Sequence, residues 1–284
     1  MTSPQLLPGW YPLLQSTSLR RLPVARQLAG RKILLSRLTA GRAAACDAIT
    51  GETLRTAEIG GWVHVAESLP QDACAPDAQL LPGPYRTFLT EGFVKATLGD
   101  VGENILDTTH TSVVHQDYLR RPGERRAVQA AITAGDNWIR ATYPPGAAPS
   151  GWGARLIGAQ RYTICDTFRA PSIAEVTYTD DERPVFAARF QLAPARPGET
   201  FVAATVAVPG RGISARLKLA ALRAFFIRIF AEDRAILELI AANREAHRGA
   251  PIVFAPQDLL RPGIEAILAG RAPVVASPRT ALLV

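Results

Sequence analysis

Cysteine, lysine and histidine are all scarce in this 284-residue sequence. The three cysteines, Cys46, Cys74 and Cys165, are too few and too irregularly spaced for a disulfide framework. No apolar run approaches the ~20 residues that a spanning helix needs, so no membrane span is expected. The opening MTSPQLLPGWYPLLQS lacks a basic segment followed by an apolar one. No secretory leader is therefore expected, and the cytoplasm is the default location. Only Lys32, Lys95 and Lys218 are lysines; the rest of the positive charge behind the formal +7 is arginine scattered among Ala, Gly and Pro. Scatter of this kind makes neither a clustered basic face nor an aromatic–basic module, and no nucleic-acid partner is expected. A basic surface would suit an acidic protein partner such as a small electron carrier.

What is present is enough for a substantial core. Apolar residues make up 48% and charged residues 20%, a balance that excludes a disordered chain. Residues 31–37 and 57–66 are short β-branched and aromatic stretches that read as strands, with a small, polar turn region at 43–56 between them. Pro70, Pro76, Pro82 and Pro84 crowd residues 67–84 and mark a boundary. Residues 85–95 read as extended. Residues 97–110 read as a helix whose acidic first turn (Asp100, Glu103) complements the dipole. Five β-like segments follow at 126–143, 158–167, 173–179, 184–193 and 200–208, separated by Gly, Pro and Asp. Residues 213–247 contain no proline and predict one long helix, with a short final helix at 258–269. The order implies an α+β fold in which a curved antiparallel sheet wraps a helix and leaves a cavity.

Two of the four histidines stand five residues apart in Asn104-Ile-Leu-Asp107-Thr-Thr-His110-Thr-Ser-Val-Val-His115. On a straight helix five residues turn the chain by about 500°, which would point the two rings roughly 140° apart. They can share a metal only if the helix ends or distorts between them, and Thr111, Ser112, Val113 and Val114 are poor helix formers that permit a break. Spacing alone also fits two surface histidines beside a helix end.

The wider pattern resembles the Rieske non-haem iron oxygenases, in particular the vanillate-demethylase-like oxygenase subunits. Their Glu-Asn-x-x-Asp-x-x-His-x-x-x-x-His motif is matched at Glu103, Asn104, Asp107, His110 and His115. An acidic pair on a late helix is matched by Glu232 and Asp233, and Asn243 and the segment from Phe254 to Leu260 are similar too. The resemblance covers residues 85–265. It implies a helix-grip catalytic domain over 81–284, with His110, His115 and Asp233 as ligands of Fe(2+). It implies that Asp107 hydrogen-bonds a ligand histidine on the electron-entry path, and leaves Asn104 as either an active-site side chain or a polar helix residue. Dioxygen is then the co-substrate, and hydroxylation or oxidative O- or N-demethylation of a small aromatic or heteroaromatic compound the implied reaction.

Members of this family also carry a [2Fe–2S] cluster on two Cys and two His, in a Cys-x-His and a Cys-x-x-His pair. This sequence contains neither pair: Asp47 and Ala48 follow Cys46, and Ala75 and Pro76 follow Cys74. Flanking segments remain, at Gly9-Trp10-Tyr11-Pro12, at 29–37 and at Gly60-Gly61-Trp62-Val63. Residues 1–80 therefore resemble a truncated remnant of the cluster domain. Electrons are expected from a Rieske-containing reductase or oxygenase partner, with NAD(P)H acting indirectly through it, in a trimeric or mixed oligomer. A cluster-less subunit of bacterial purine-alkaloid N-demethylation is similar in design.

Two other readings compete. A non-catalytic structural or ligand-binding subunit would keep the old site while serving assembly, and metal-assisted hydrolysis would use the same ligands without a donor. The aromatics Trp138, Tyr143, Trp152, Phe168, Phe186 and Phe190 are expected in the β region as core or cavity wall. The basic stretch 216–228 reads as a packed helix with a solvated face, and His247 as a residue at the end of the long helix.

Overall fold

The computed structural model describes residues 6–39, 41–69, 77–115, 119–120, 127–148, 150–158, 161–247, 253–275 and 277–283. Cys74, Pro70 and Pro76 lie outside them. Six strands, β1 (Tyr11–Gln15), β2 (Val24–Leu28), β3 (Arg31–Arg37), β4 (Ala43–Asp47), β5 (Thr53–Ile59) and β6 (Trp62–Ala66), form an antiparallel sheet. Their order is β1-β6-β5-β4-β3-β2. The polar stretch 43–56, expected as a turn region, instead supplies β4 and the start of β5. Its reversal is confined to a few residues because Asp47 Oδ1 accepts from the backbone N–H of Ile49 (2.8 Å) and Thr50 (2.9 Å). Side-chain capping here replaces the hydrophobic signal by which a hairpin is usually recognised.

The second sheet has eight strands: β7 (Tyr85–Val94), β8 (Ala127–Ala134), β9 (Trp138–Tyr143), β10 (Thr163–Arg169), β11 (Ile173–Asp180), β12 (Arg183–Arg196), β13 (Glu199–Pro209) and β14 (Arg279–Leu283). Its order is β14-β8-β9-β10-β11-β12-β13-β7. It is curved, and with the long helix it makes the expected α+β fold dominated by antiparallel strands. Residues 158 and 161, expected as strand, are not part of it, and 159–160 lie outside the described residues; β10 starts at Thr163, after the short helix α3 (Trp152–Ile157) that carries Trp152. The terminal strand β14, which pairs with β8 from Arg279↔Ala131 to Leu283↔Ala127, went unpredicted.

Strands β12 and β13 of the second sheet contribute side chains to both cores. Ala193, Phe201 and Ala203 pack into the core of the first sheet, with Leu13, Leu28, Ile33, Leu35 and Val65. Phe186, Leu192, Val202 and Val206 belong to the core of the second. β13 is accordingly buried along nearly its whole length, the pattern of a strand covered on both faces. Backbone bonds from Ala29 to Pro194 (2.6 Å) and Gly30 to Ala195 (2.8 Å), and one from Trp62 Nε1 to Thr205 Oγ1 (2.8 Å), tie the sheets together.

Helices α1 (Leu98–Leu106) and α5 (Arg261–Leu268) and the 34-residue α4 (Ile213–Ala246) complete the framework, with the single turn α2 (Thr111–Val114). Thr97 caps α1: its Oγ1 accepts from Asp100 N–H (3.2 Å) and donates to Asp100 Oδ2 (2.7 Å). Gly102 lets α1 lie on β10, since a Cβ there would stand 2.9 Å from the buried Phe168 ring. Arg261, 2% exposed, joins α5 to α1 through Asp100 (2.9 Å) and Glu103 (2.6 Å). His247 caps the C-terminus of α4. Among the described residues no helix is long and apolar enough to cross a membrane.

Candidate metal centre

Helix α1 stops at Leu106, before the histidines. Asp107 leaves the helical region (φ −83°, ψ 112°), and its carboxylate holds the following turn. Its Oδ1 accepts from Thr109 N–H and Oγ1, both at 2.7 Å, and its Oδ2 from His110 N–H at 3.2 Å. The break thus falls at 107–109 and not at 111–114, which form the turn α2. Local capping by Asp107 and Thr109 outweighs the low helix propensity of the Thr-Ser-Val-Val run. His110 precedes that turn and His115 ends it (φ −112°, ψ 44°). The result is what a shared ion requires: ring centroids 5.2 Å apart, with planes at 75°.

Helix α4 brings the carboxylate. Leu222, Phe226, Ile229, Phe230, Asp233 and Leu237 recur at helical spacing and line one cavity, so Asp233 occupies a place in an otherwise apolar stripe. Its Oδ1 lies 2.9 Å from His115 Nε2 and 3.4 Å from His110 Nε2. His110, His115 and Asp233 each offer one ligand atom, all within 4.8 Å of one another. Spacing of roughly 3 Å suits donors held at ~2.1 Å around one ion. Asp233 Oδ1 is buried, and no well-aligned hydrogen bond reaches it. A buried carboxylate oxygen left in that state is costly, and a cation between the three atoms would satisfy it. The donor set therefore fits a divalent metal.

Both rings are fixed from behind. His115, 1% exposed, has its Nδ1 3.0 Å from Glu232 Oε2. His110 Nδ1 lies 2.6 Å from the Asp107 carbonyl oxygen. With Nδ1–H donating in each case, Nε2 of both rings faces Asp233. The Asp107 carboxylate, 3.7 Å from His110 Nδ1, shapes the turn, while its carbonyl takes the ring hydrogen bond. Asn104 Nδ2 stands 3.5 Å from His110 Nε2. Burial opposes a charge on His110, but Asp107 and Asp233 outweigh it and lift its pKa to about 9. Burial likewise opposes charge on Asp233, and the two histidines overcome it and hold its carboxyl below the usual range. A metal would have to displace that proton on His110 to bind.

The triad opens into a cavity of about 170 Å³. Its wall is mainly apolar, with Phe186 and Phe190, as expected, joined by Tyr178, Phe225, Phe226 and Phe230. Two residues near the centre escaped the sequence reading of roles. Glu232 was visible only as half of an acidic pair. Asp166 on β10 lines the same cavity, and its signal was a carboxylate at a strand position flanked by Ile164 and Phe168 on the same face. His64 sits far from the triad in sequence, buried in β6 with Nε2 3.2 Å from Gln191 Oε1.

A family model described as vanillate O-demethylase oxygenase C-terminal domain matches residues 94–260. No curated protein matches the chain. Dicamba monooxygenase bound to 3,6-dichlorosalicylic acid has a similar structure: TM-score 0.76, 17% identity, covering 92% of this chain and 96% of that one. The terminal oxygenase of carbazole 1,9a-dioxygenase from Nocardioides aromaticivorans IC177 matches at TM-score 0.63 and 12% identity, over 95% of each chain. A carbazole-bound oxygenase in complex with ferredoxin matches at TM-score 0.59 and 12% identity, over 92% of this chain and 89% of that one. At these identities the likeness is one of fold.

Proposed function

Because this chain belongs to the vanillate O-demethylase oxygenase C-terminal domain family, we propose that it is a terminal mononuclear non-haem Fe(II) oxygenase component. Membership supports an oxygenase or demethylase type of activity on aromatic compounds. The observation that carries the finer reading is the meeting of two Nε2 atoms and a buried carboxylate oxygen at the wall of an apolar cavity. His110, His115 and Asp233 are the ligands. These two imidazoles and one carboxylate would hold ferrous iron, which would supply the redox chemistry for activating dioxygen.

The protein's own part is orientation and exclusion. Glu232 and the Asp107 carbonyl hold the two imidazoles in the tautomer that presents Nε2. Asp107 also fixes the turn that separates the histidines, and Asn104 places an amide beside His110. The aromatic wall keeps water from the reacting end of a small aromatic or heteroaromatic substrate. Residues 1–80 are read as the remnant of a cluster domain, since the sequence holds neither the Cys-x-His nor the Cys-x-x-His pair. Reducing equivalents are then supplied by a Rieske centre on a partner subunit or reductase, with NAD(P)H as the distant source, in a trimeric or mixed assembly in the cytoplasm. That an oxygenase of this fold is seen with ferredoxin supports an electron-carrier protein as a partner type.

Anaerobic reconstitution tests the ligand assignment: about one iron per chain is expected, with no iron–sulfur absorption, and its loss in His110→Ala and Asp233→Ala. Full iron in both variants would end the proposal. Turnover with an added Rieske donor, reductase, NADH and oxygen separates an oxygenase from a non-catalytic subunit, which would consume nothing.

A further inference from the structure

Strand β10 presents Ile164, Asp166 and Phe168 to the concave side of the second sheet. Ile164 and Asp166 line the cavity, and Phe168 packs against α1. The cross-strand partners of Asp166 are Ala141 on β9 and Val176 on β11. These four neighbours in the sheet are apolar, and strand periodicity calls for an apolar residue here too. Asp166 is 2% exposed, and its Oδ1 is buried without a hydrogen-bond partner. Among the described residues it has no ion pair. A carboxylate in that setting would be very costly, and burial together with the nearby Asp107 pushes the Asp166 carboxyl well above the usual range. It stands in the cavity wall as a neutral acid, whose O–H donates and whose C=O accepts.

Apart from His110, whose charge Asp107 and Asp233 already balance, the rest of the wall offers no home for an anion. Arg234 borders the cavity, but its Nε is held by Glu238 at 2.9 Å. Asp107 borders it as a second carboxyl. A carboxylate-bearing ring placed there would meet two acids. A ring with an N–H beside a carbonyl or a ring nitrogen would pair with both the O–H and the C=O of Asp166 and so give its buried Oδ1 the partner it lacks.

We propose that Asp166 is the specificity residue of the cavity, selecting neutral lactam-like or amidine-like heteroaromatic substrates against carboxylates. The assignment rests on the cavity being the substrate site of the proposed oxygenase. Two hydrogen bonds to such a group are worth about tenfold or more in affinity.

Binding to the full chain by calorimetry, with no iron added, tests this using three planar probes: 2-pyridone, N-methyl-2-pyridone and benzoate. The wild type should favour 2-pyridone about tenfold over each of the others. Asp166→Asn, which keeps a donor and an acceptor, should retain most of the preference, and Asp166→Leu should lose it. The leucine variant should also unfold no earlier than wild type, because it removes an unsatisfied buried group; a purely structural aspartate would lower its melting temperature. Benzoate binding as tightly as 2-pyridone, or indifference to N-methylation, overturns the proposal using wild-type protein alone. So does a folded leucine variant that keeps the preference. Iron content of the His110 and Asp233 variants reports on the metal centre separately, so either conclusion can fail without the other.

Discussion

Glu232 is where the geometry of the metal centre is most open to a quantitative challenge. Its Oε2 lies 3.0 Å from His115 Nδ1, and its Oε1 is 3.1 Å from Arg228 Nε. The Arg228 contact joins side chains 63% and 30% exposed, so water screens it and it contributes little. The contact to His115 differs, because that ring is buried and its orientation sets where Nε2 points. Removing the acceptor in Glu232→Ala takes away the hydrogen bond from His115 Nδ1 to the carboxylate that helps orient the ring. Loss of such an outer partner lowers metal affinity by about 10- to 100-fold, which is ~1.4 to ~2.7 kcal/mol. Glu232→Gln keeps an acceptor oxygen but loses the charge, and should fall nearer the lower end. Co(II) is a convenient probe, titrated against a competing chelator and followed by its visible absorption. Arg228→Ala is the control and should change affinity by less than about twofold. Co(II) affinity within about twofold of wild type in a folded Glu232→Ala protein would show that packing alone holds His115, and the orientation argument would be wrong.

Other expectations concern the framework. Burial holds His64 down to about 4, against ~6.5 in an unfolded chain. The unfolded chain thus binds a proton between these values that the folded chain does not. Stability is full above pH 6.5 and falls by roughly 3 kcal/mol as pH drops to 4. Urea unfolding at pH 7.5 and 4.5 should show that loss, reduced in His64→Gln; equal losses in both proteins would refute it. Arg261→Leu leaves Asp100 and Glu103 without their buried guanidinium and should cost about 3–5 kcal/mol in urea unfolding. A cost below ~1 kcal/mol would mean that Arg244, which also pairs with Asp100, suffices.

Much of this architecture was legible in the sequence because periodicity reports burial. The strands from 173 to 208 and the long helix over 213–247 are written in apolar spacing, and the structure places them within a few residues. The failures share a cause: side chains that cap the backbone. Asp47 makes a tight hairpin out of a polar stretch, and Asp107 ends α1 earlier than propensity does. Neither effect has a hydrophobic signature. The strand β14 was missed for a related reason, since its place depends on an edge of β8 that lies some 150 residues earlier.

The candidate centre divides along the same line. His110 and His115 announce themselves by motif, whereas Glu232 earns a role only from the rotation that α4 gives it relative to His115. Asp233 and Asp166 show a third kind of signal. Each puts a carboxylate where helix or strand periodicity calls for an apolar side chain, and each leaves an oxygen buried without a well-aligned hydrogen bond. The neighbouring histidines offset part of that cost for Asp233, whereas at position 166 an isosteric apolar residue would pack at lower cost. On the proposed function a ligand offsets what remains of that cost. For Asp233, with two imidazole nitrogens within 3.4 Å, the proposed ligand is an ion. For Asp166, with only apolar strand neighbours, the proposed one is a hydrogen-bonding face of the substrate.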